Sequence, residues 1–458
     1  MAEFTLQEVL SVTGGTYEGT ATDTTKFTSV STDTRTIGAD SLFVALTGDT
    51  FDGHDFLGQA KDNGAVGAIV KKGKAFDGLI CVEVESPLLA YQQLANYHRR
   101  RFHIPVVAIT GSSGKTTTKE MVAAVLSTKY NVLKTEKNYN NEIGLPKTLL
   151  QLTPDHEACV VEMGMRGLGQ IDELARIAEP TMGIITNVGN SHIELLGSRE
   201  NIGKAKAELI HHILADGVAI LNQDDDIVRE MGQFTEGKTI YYGIKERATI
   251  SGFNLRYKKD GIKFTCRAFD EIFDVFLPMI GEHNVYDALA AISAGRALGI
   301  SSQKIAKGLG NFSGMPMRQE IISFPDIVIL NDSYNANPAS MTEAIKALGQ
   351  LEGKRKIAML GDMLELGGFT EESHREIGDL LVEEGYSEVY TFGEAARFIA
   401  REAKAKGLKA SFVCSSHLDM ANMYFDNRQK GDVILVKGSR GLRMERVVAE
   451  IKEREAGL

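Results

Sequence analysis

The sequence predicts an α/β protein of three domains: a small N-terminal α/β domain, a central mostly parallel sheet with a phosphate loop and an added antiparallel section, and a C-terminal Rossmann-like α/β domain. Three observations carry this expectation. At 458 residues the chain is too long for one core, and about 150 residues per domain suggests three. Apolar runs of strand length alternate with amphipathic helical stretches, the pattern of parallel sheets covered on both faces. Finally, Val106-Val-Ala-Ile-Thr-Gly-Ser-Ser-Gly-Lys-Thr-Thr-Thr-Lys-Glu120 joins an apolar, β-branched run to a helix through a glycine-flanked turn, which is a phosphate cradle.

The first unit spans residues 1–100. Short strands at Ser41–Leu46, Ala65–Val70 and Leu79–Val84 are separated by Gly and Asp turns and by helical pieces. The basic stretch His98–His103 reads as a connector that ends in Pro105 and hands over to the phosphate-loop strand. The central unit, 101–313, continues with strands at Ala158–Glu162, Gly183–Asn187 and Val218–Leu221. From Ile240 to Met279 the pattern becomes strand-turn-strand, with Lys259-Asp-Gly261 as a hairpin signal, so an antiparallel section is expected. A helix over Asn284–Leu298 closes this unit. The third unit, 314–458, alternates again, with strands at Ile327–Leu330, Lys356–Leu360, Val389–Phe392 and Val433–Val436 of a six-part open sheet. Two open α/β sheets in one chain place the chemistry in the cleft between them, because ligands sit at the carboxyl ends of such strands.

Bulk composition narrows the partners. Lys plus Arg at 51 against Asp plus Glu at 61 gives a net charge of −10, which argues against a general nucleic-acid or anionic-membrane binder. Any anionic ligand must be held locally. Cys81, Cys159, Cys266 and Cys414 are far apart, lie in or beside apolar runs and lack metal-like spacing, so they read as buried hydrophobes in a reducing compartment. With no basic-then-apolar leader and no apolar run of spanning length, a cytoplasmic protein without stable membrane insertion is expected.

The residues with chemistry follow the strands. In the Gly111, Ser112, Ser113, Gly114 turn and the helix start at Lys115, Thr116 and Thr117, backbone N–H groups are expected to converge on one spot. Lys115 adds a mobile cation and Thr116 a hydroxyl for Mg²⁺. A glycine five residues before Gly114 would complete the longer loop form, but Ile109 stands there, so the turn begins at Thr110 and Gly111. Glu162 ends its strand on the same side, either as a Mg²⁺ ligand beside Thr116 or as a cap of the next helix. His192 follows the next strand and is either a structural group or a ligand. At about 100° per residue, Ile202, Lys206, Leu209 and Ile213 share one helix face and Lys204 the opposite one. A lysine in an apolar stripe either snorkels to solvent or has a depressed pKa and a neutral amine able to take up CO₂ as a carbamate.

The chain resembles the Mur ligases, the ATP-dependent amino-acid-adding enzymes of peptidoglycan synthesis, over its whole length. The motifs are T-G-S-S-G-K-T-T-T at 110–118, N-Y-N-N-E-I-G-L-P at 138–146, V-E-M-G at 161–164, N-V-G-N-S-H at 187–192, A-K-A-E at 205–208 and G-E-H-N-V-Y-D-A at 281–288. The resemblance implies ATP and two Mg²⁺ ions, with Thr116, Glu162, His192 and a carbamylated Lys206 as metal ligands and Lys115, His192 and Lys206 in catalysis. It implies further nucleotide contacts at Asn284, Arg318 and Asp332, while Asp287 stands where many members carry Asn. The segments Asp332-Ser-Tyr-Asn-Ala-Asn-Pro338 and Leu360-Gly-Asp-Met-Leu-Glu-Leu-Gly367 look like those of the member joining D-alanyl-D-alanine to UDP-N-acetylmuramoyl-tripeptide. In the first domain, Ser31-Thr-Asp-Thr-Arg35 and Asp52-Gly-His-Asp55 resemble its UDP-sugar site. Substrate contacts are thereby expected at Ser31, Asp33, Arg35, Asn138, Asn141, Tyr334, Asn335, Asn337, Ser439 and Arg440, in a protein acting as a monomer. Arg35 pairs with the diphosphate or is an ordinary exposed turn arginine.

Two rival readings fit less well. A folylpolyglutamate synthase shares the loop and lysine logic, but the 31–35 and 332–338 segments suit it poorly. A nucleotide-driven switch has no need of Lys206 in an apolar stripe, and no N-K-x-D guanine-reading segment occurs.

Overall fold

Alternate residues of the strand Val106–Thr110 face opposite ways: Val106 and Ala108 enter one apolar layer, Val107 and Ile109 the other. That double burial accounts for its near-continuous hydrophobic sequence and places it inside a parallel sheet. In the computed structural model, which describes residues 2–191, 193–258 and 260–457, it belongs to a nine-stranded sheet. Its order is Glu271–Leu277, Gly261–Ala268, Ile250–Lys258, Lys238–Gly243, Val218–Asn222, Met182–Ile185, Val106–Thr110, Ala158–Glu162, Val132–Lys134. The strands from Val132–Lys134 to Ile250–Lys258 pair in parallel, and the last two pairings are antiparallel. The expected antiparallel section is present but begins at Ile250 rather than Ile240, whose strand pairs in parallel on both sides; Lys259 of its hairpin signal lies outside the described residues.

Helices cover both faces. Lys115–Leu126, Glu282–Ala297 and Ser302–Gly310 supply Met121, Val125, Leu289 and Ile305 to one layer. Pro87–Arg100, Gly144–Leu149, Gln170–Ala178 and Arg199–His211 supply Leu94, Leu149, Leu174 and Leu209 to the other. That second layer does not stop at the first domain: Phe4, Leu6, Val44, Val82 and Tyr91 belong to the same buried cluster. The first domain itself is a parallel sheet in the order Ser29–Ser31, Ser41–Val44, Ala65–Lys71, Ile80–Val84, with an antiparallel pair Phe4–Thr5 and Lys26–Phe27 beside it.

The third domain is a six-stranded sheet in the order Glu320–Ser323, Ile327–Asp332, Asp432–Lys437, Arg355–Gly361, Glu388–Phe392, Ala410–Cys414, with only the first pairing antiparallel. The helix Pro338–Leu348 starts where Asn337 accepts from Ser340 N–H and Pro338 presets the first turn. The strands Glu320–Ser323 and Ala410–Cys414 escape the sequence reading because their residues are mostly half-buried edge positions without a long apolar run. All four cysteines are free and buried. No helix among the described residues is long and apolar enough to cross a membrane.

One expectation is corrected. The basic stretch from His98 is not a connector but the end of the helix Pro87–Arg100, capped by Ser86 and docked on the central domain. Arg99 is buried and donates from its guanidinium to the carbonyls of Ala178 (2.9 Å), Phe102 (2.9 Å) and Glu179 (3.1 Å). Burial pushes His98 down to about 4, so its neutral ring donates from Nε2 to Leu152 O at 2.9 Å. Arg100 points outward, 3.7 Å from Glu179 in an exposed pair. Arg99→Met should leave three carbonyls short of a donor and cost about 3 kcal/mol in urea unfolding, since a charged donor removed from a buried site exposes its partners' desolvation. Arg100→Ala should leave the unfolding midpoint unchanged; equal effects of the two would contradict this placement.

Candidate active site

The phosphate loop follows from two glycines. A Cβ at Gly111 would lie 1.8 Å from Thr186 Oγ1, and Gly114 has φ +78° with Asp287 Oδ1 2.6 Å from where its Cβ would be. Only glycine fits either place. The donors are arranged differently from the expectation. Ser112 N–H and Ser113 N–H donate to Asn187 O and Oδ1, both at 3.0 Å, so they are spent inside the protein. The cradle is instead the start of the helix Lys115–Leu126, whose first-turn N–H groups have no intrahelical acceptor. Lys115 bends over the loop and donates from Nζ to Gly111 O at 2.6 Å.

Glu162 ends the neighbouring strand, paired with Ile109, and is buried. Its Oε1 accepts from Asn140 Nδ2 at 2.8 Å, whereas its buried Oε2 has no hydrogen-bond partner. A carboxylate oxygen left unsatisfied beside the phosphate cradle, with the Thr116 hydroxyl on the facing helix, fits a divalent cation and does not fit a helix cap. Among the described residues no three His, Cys, Asp or Glu side chains converge as a metal cage. His192 lies outside the described residues.

Lys206 sits on the helix Arg199–His211 and is 2% exposed, with Ile202, Leu209 and Ile213 buried and Lys204 in solvent. Snorkelling is thereby excluded. Burial, and then the charge of Lys115, push its amine well below the ordinary lysine value. Burial also lowers Lys115, against the attraction of Glu162 and with Arg318 adding to the lowering. Two desolvated lysines next to a helix N-terminus make a site that calls for negative charge.

A cleft of about 1470 Å³ joins the three domains. The first domain contributes Asp33 and Arg35 to its wall; the central domain contributes Ser112 to Thr117, Asn138, Asn141, Glu162 and Asn284; the third contributes Arg318, Asp332, Tyr334, Asn335 and Asn337. Arg35 is largely exposed and held by Asp33 at 2.8 Å, a bond that also keeps the Asp33 carboxyl down at about 2. Several expected contacts have structural tasks. Asn141 Oδ1 accepts from Gly144 N–H at 2.9 Å, and Asn337 Nδ2 donates to Ser191 Oγ at 2.7 Å, tying the third domain to the central one. Asp332 pairs with the buried Lys437 at 2.5 Å. Asn284 donates to Ile280 O and to Gln319 Oε1. Arg318 stacks over Tyr334, 4.0 Å from the ring centre.

Five expected residues stand apart from the cleft wall: Gly111 is buried at the base of the loop, Lys206 is buried on its helix, and Ser31, Ser439 and Arg440 are engaged elsewhere. Ser31 closes its own turn with Asp33. Ser439 is buried, its Oγ donating to Ala336 O at 3.1 Å and accepting from Leu364 N–H at 2.9 Å. Arg440 pairs with Glu445 outside, while its N–H donates to Asn335 Oδ1 at 3.2 Å.

The sequence reading assigns no role to His283 or Glu343, which meet in a polar cluster beside Asn284 and Asp287. His283 of the central domain faces Glu343 of the third at 3.4 Å. Burial opposes the charge on His283, but Glu343, with Asp287 and Asp332 behind it, holds its pKa above the ordinary value. Asp287 lies under Gly114 and accepts from Thr118 Oγ1 at 2.8 Å. Asp287 and His283 stand within the 281–288 motif, but nothing local in the sequence pairs His283 with Glu343.

A first domain fused to a phosphate-loop sheet and closed over by a third α/β domain defines a class of ATP-using ligases. The catalytic domain of the Mur ligase family matches residues 26–112, its middle domain residues 109–295, and its glutamate ligase domain residues 317–440; the chain belongs to the Mur ligase family. The UDP-N-acetylmuramoyl-tripeptide--D-alanyl-D-alanine ligase of Bacillus subtilis is 37% identical, over 99% of this chain and 99% of its own. A crystal structure of MurF from Acinetobacter baumannii matches with a TM-score of 0.92 at 32% identity, covering 99% of each chain. MurF ligase from Thermotoga maritima in complex with ADP matches with a TM-score of 0.86 at 31% identity, covering 94% of this chain and 98% of that one.

Burial pushes the Asp287 carboxyl up from 3.8 to about 7, with the Thr118 bond and the charges of His283 and Arg318 working against it. The folded protein then keeps a proton that the unfolded chain releases, so this group lowers stability as pH rises from 3.8 to about 7. Asp287→Asn still accepts from Thr118. It should therefore be more stable than wild type at pH 8, by roughly 4 kcal/mol at most, and about equally stable at pH 4. The same gain at both pH values would show that Asp287 is not the titrating group.

Proposed function

We propose that this protein joins D-alanyl-D-alanine to UDP-N-acetylmuramoyl-tripeptide in the cytoplasm, using ATP and releasing ADP and phosphate. The observation that carries the reading is the single cleft that runs from Asp33 and Arg35, past Glu162 and Lys115, to Asp332 and Asn335, in a chain of this family. Carboxylate oxygen is a poor leaving group, so the tripeptide's terminal carboxylate first attacks the γ-phosphorus of ATP. ADP departs and an acyl phosphate remains. The dipeptide amine then adds to the acyl carbon, loses a proton, and the tetrahedral intermediate expels phosphate to leave the amide.

The chain's residues divide this work. The helix start at Lys115 to Thr117, with the Lys115 ammonium, holds the β- and γ-phosphates and stabilises charge on the transferring group. Thr116, Glu162, His192 and Lys206 would hold Mg²⁺, which when bound screens the repulsion between carboxylate and γ-phosphate. For Lys206 this requires a carbamate: its neutral amine adds to CO₂ and loses a proton, turning a buried cation into an anionic oxygen donor. Asn284, Arg318 and Asp332 line the nucleotide end; Asp33, Arg35, Asn138 and Asn141 the UDP-substrate side; Tyr334, Asn335 and Asn337 the entry of the dipeptide. Docking of the third domain excludes water that would hydrolyse the acyl phosphate. The protein works as a monomer.

A coupled phosphate-release assay tests the reaction. Phosphate should appear only when ATP, the UDP-muramoyl tripeptide and D-alanyl-D-alanine are present together, and release with the nucleotide substrate alone at the same rate would point to a switch or simple hydrolase.

Lys206→Ala should lose about two orders of magnitude or more in turnover, the scale of a lost catalytic charge, and small carboxylates such as acetate should restore part of it. Lys206→Arg keeps the cation and stem but lacks the oxygen, and should be nearly as poor. Lys204→Ala, on the solvent face, should be mild. An active arginine variant sinks the carbamate assignment.

A further inference from the structure

Lys119 is fully buried on the phosphate-loop helix, one turn beyond Lys115, and the ligation chemistry makes no use of it. Burying an ammonium is costly unless each of its protons is met, and an apolar residue would fill the same space without that cost. What the charge holds is therefore informative. Lys119 Nζ donates to Thr135 O at 2.6 Å and lies 3.0 Å from Glu120 Oε1, which is itself paired with Lys134.

Thr135 is a buried junction. It ends the strand Val132–Lys134; its N–H donates to Val160 O at 3.0 Å and its Oγ1 accepts from Glu162 N–H at 3.1 Å. Further along the same segment, Asn140 donates from Nδ2 to Glu162 Oε1 at 2.8 Å and accepts from Gly164 N–H at 2.8 Å. Glu162 is thus gripped at its backbone by Thr135 and at its carboxylate by Asn140. Lys119 fastens the beginning of that segment to the helix that carries Thr116.

We propose that Lys119 is a positioning residue: through Thr135 it sets the placement of Glu162 relative to Thr116, the two groups assigned to a divalent cation, which stand on separate elements. This rests on the ligation reading above. Lys119 itself is not on the cleft wall. Its ammonium is the fixed peg between the phosphate-loop helix and the segment 135–140, and an apolar replacement keeps the packing but frees that segment to shift.

The test is Mn²⁺ affinity, followed by its paramagnetic signal, in the full-length protein saturated with ADP, for wild type, Lys119→Met, Thr135→Val and Thr135→Ser. Lys119→Met and Thr135→Val should weaken Mn²⁺ about tenfold or more, the usual effect of removing a group that orients a ligand, while metal-free ADP affinity stays within about twofold. Thr135→Ser, which keeps the acceptor for Glu162 N–H, should match wild type. In ligation, the Mg²⁺ requirement of the first two variants should rise with KM for D-alanyl-D-alanine unchanged. If Lys119→Met fails to fold, Lys119→Gln, too short to reach Thr135 O, takes its place and is read in the same way. Unchanged Mn²⁺ affinity in folded Lys119→Met, or equal loss of metal-free ADP binding, overturns the proposal while leaving the ligation reading intact. Wild type that fails to bind Mn²⁺ with ADP removes the metal assignment and this proposal with it.

Discussion

Lys206 is withdrawn from water, Lys115 is half-buried on the cleft wall, and the charge of the second bears on the first. Nothing in an apolar layer favours this, so the surroundings must be organised to tolerate it. The helix that starts at Lys115 adds further positive potential at the same spot. The Glu162 carboxylate eases such a concentration of charge, as does the lowered proton affinity of the Lys206 amine. The strand order of the central sheet serves this constraint. The strands Val106–Thr110 and Ala158–Glu162 are neighbours, which brings the phosphate loop and Glu162 to the same edge of the cleft. The strand Met182–Ile185 flanks the loop strand on its other side and delivers Thr186 and Asn187 to lock the loop from below.

The loop, its strand and its helix are legible in the sequence because each is specified locally: β-branched residues for a doubly buried strand, glycines where a Cβ would collide, helical spacing of Met121, Val122, Val125 and Leu126. The burial of Lys206 is legible for the same reason, since its apolar neighbours fall at helical intervals. The stretch from His98 is misread because consecutive basic residues look solvated. Helical rotation in fact sends His98 and Arg99 inward and Arg100 outward, and the carbonyls that receive Arg99 lie far along the chain. Tertiary partners are what local pattern does not contain. That Asn187 consumes the loop donors, that Asp287 lies beneath Gly114, and that Glu343 meets His283 all depend on how distant elements dock. Lys119 is hidden more thoroughly, because a lysine among hydroxyls beside a glutamate has the composition of a solvent face.

The two domain junctions are built from different materials. Between the first and central domains the apolar layer is continuous, and the helix Pro87–Arg100 packs on elements of both. Between the central and third domains the ties are mostly polar: Asn337 to Ser191, Gly281 N–H to Gln350, His283 to Glu343, and Arg166 to Glu365, with Ile280 as an apolar insert. Such groups exchange with water at little net cost, whereas parting an apolar layer does not. Next to this junction Gly314, Met317 and Gln319 all have positive φ, so the chain turns sharply as it enters the third domain.

That contrast has a consequence for how such a chain diversifies. Under the proposed reaction, the groups that would select the carboxyl-bearing partner stand on a body fused to the central sheet, so altering them disturbs a shared core. Those that would select the amine stand on a body joined by replaceable polar contacts. Change in the third domain would then alter which amine is accepted while the shared apolar layer stays intact, leaving one side of the new bond freer to diversify than the other.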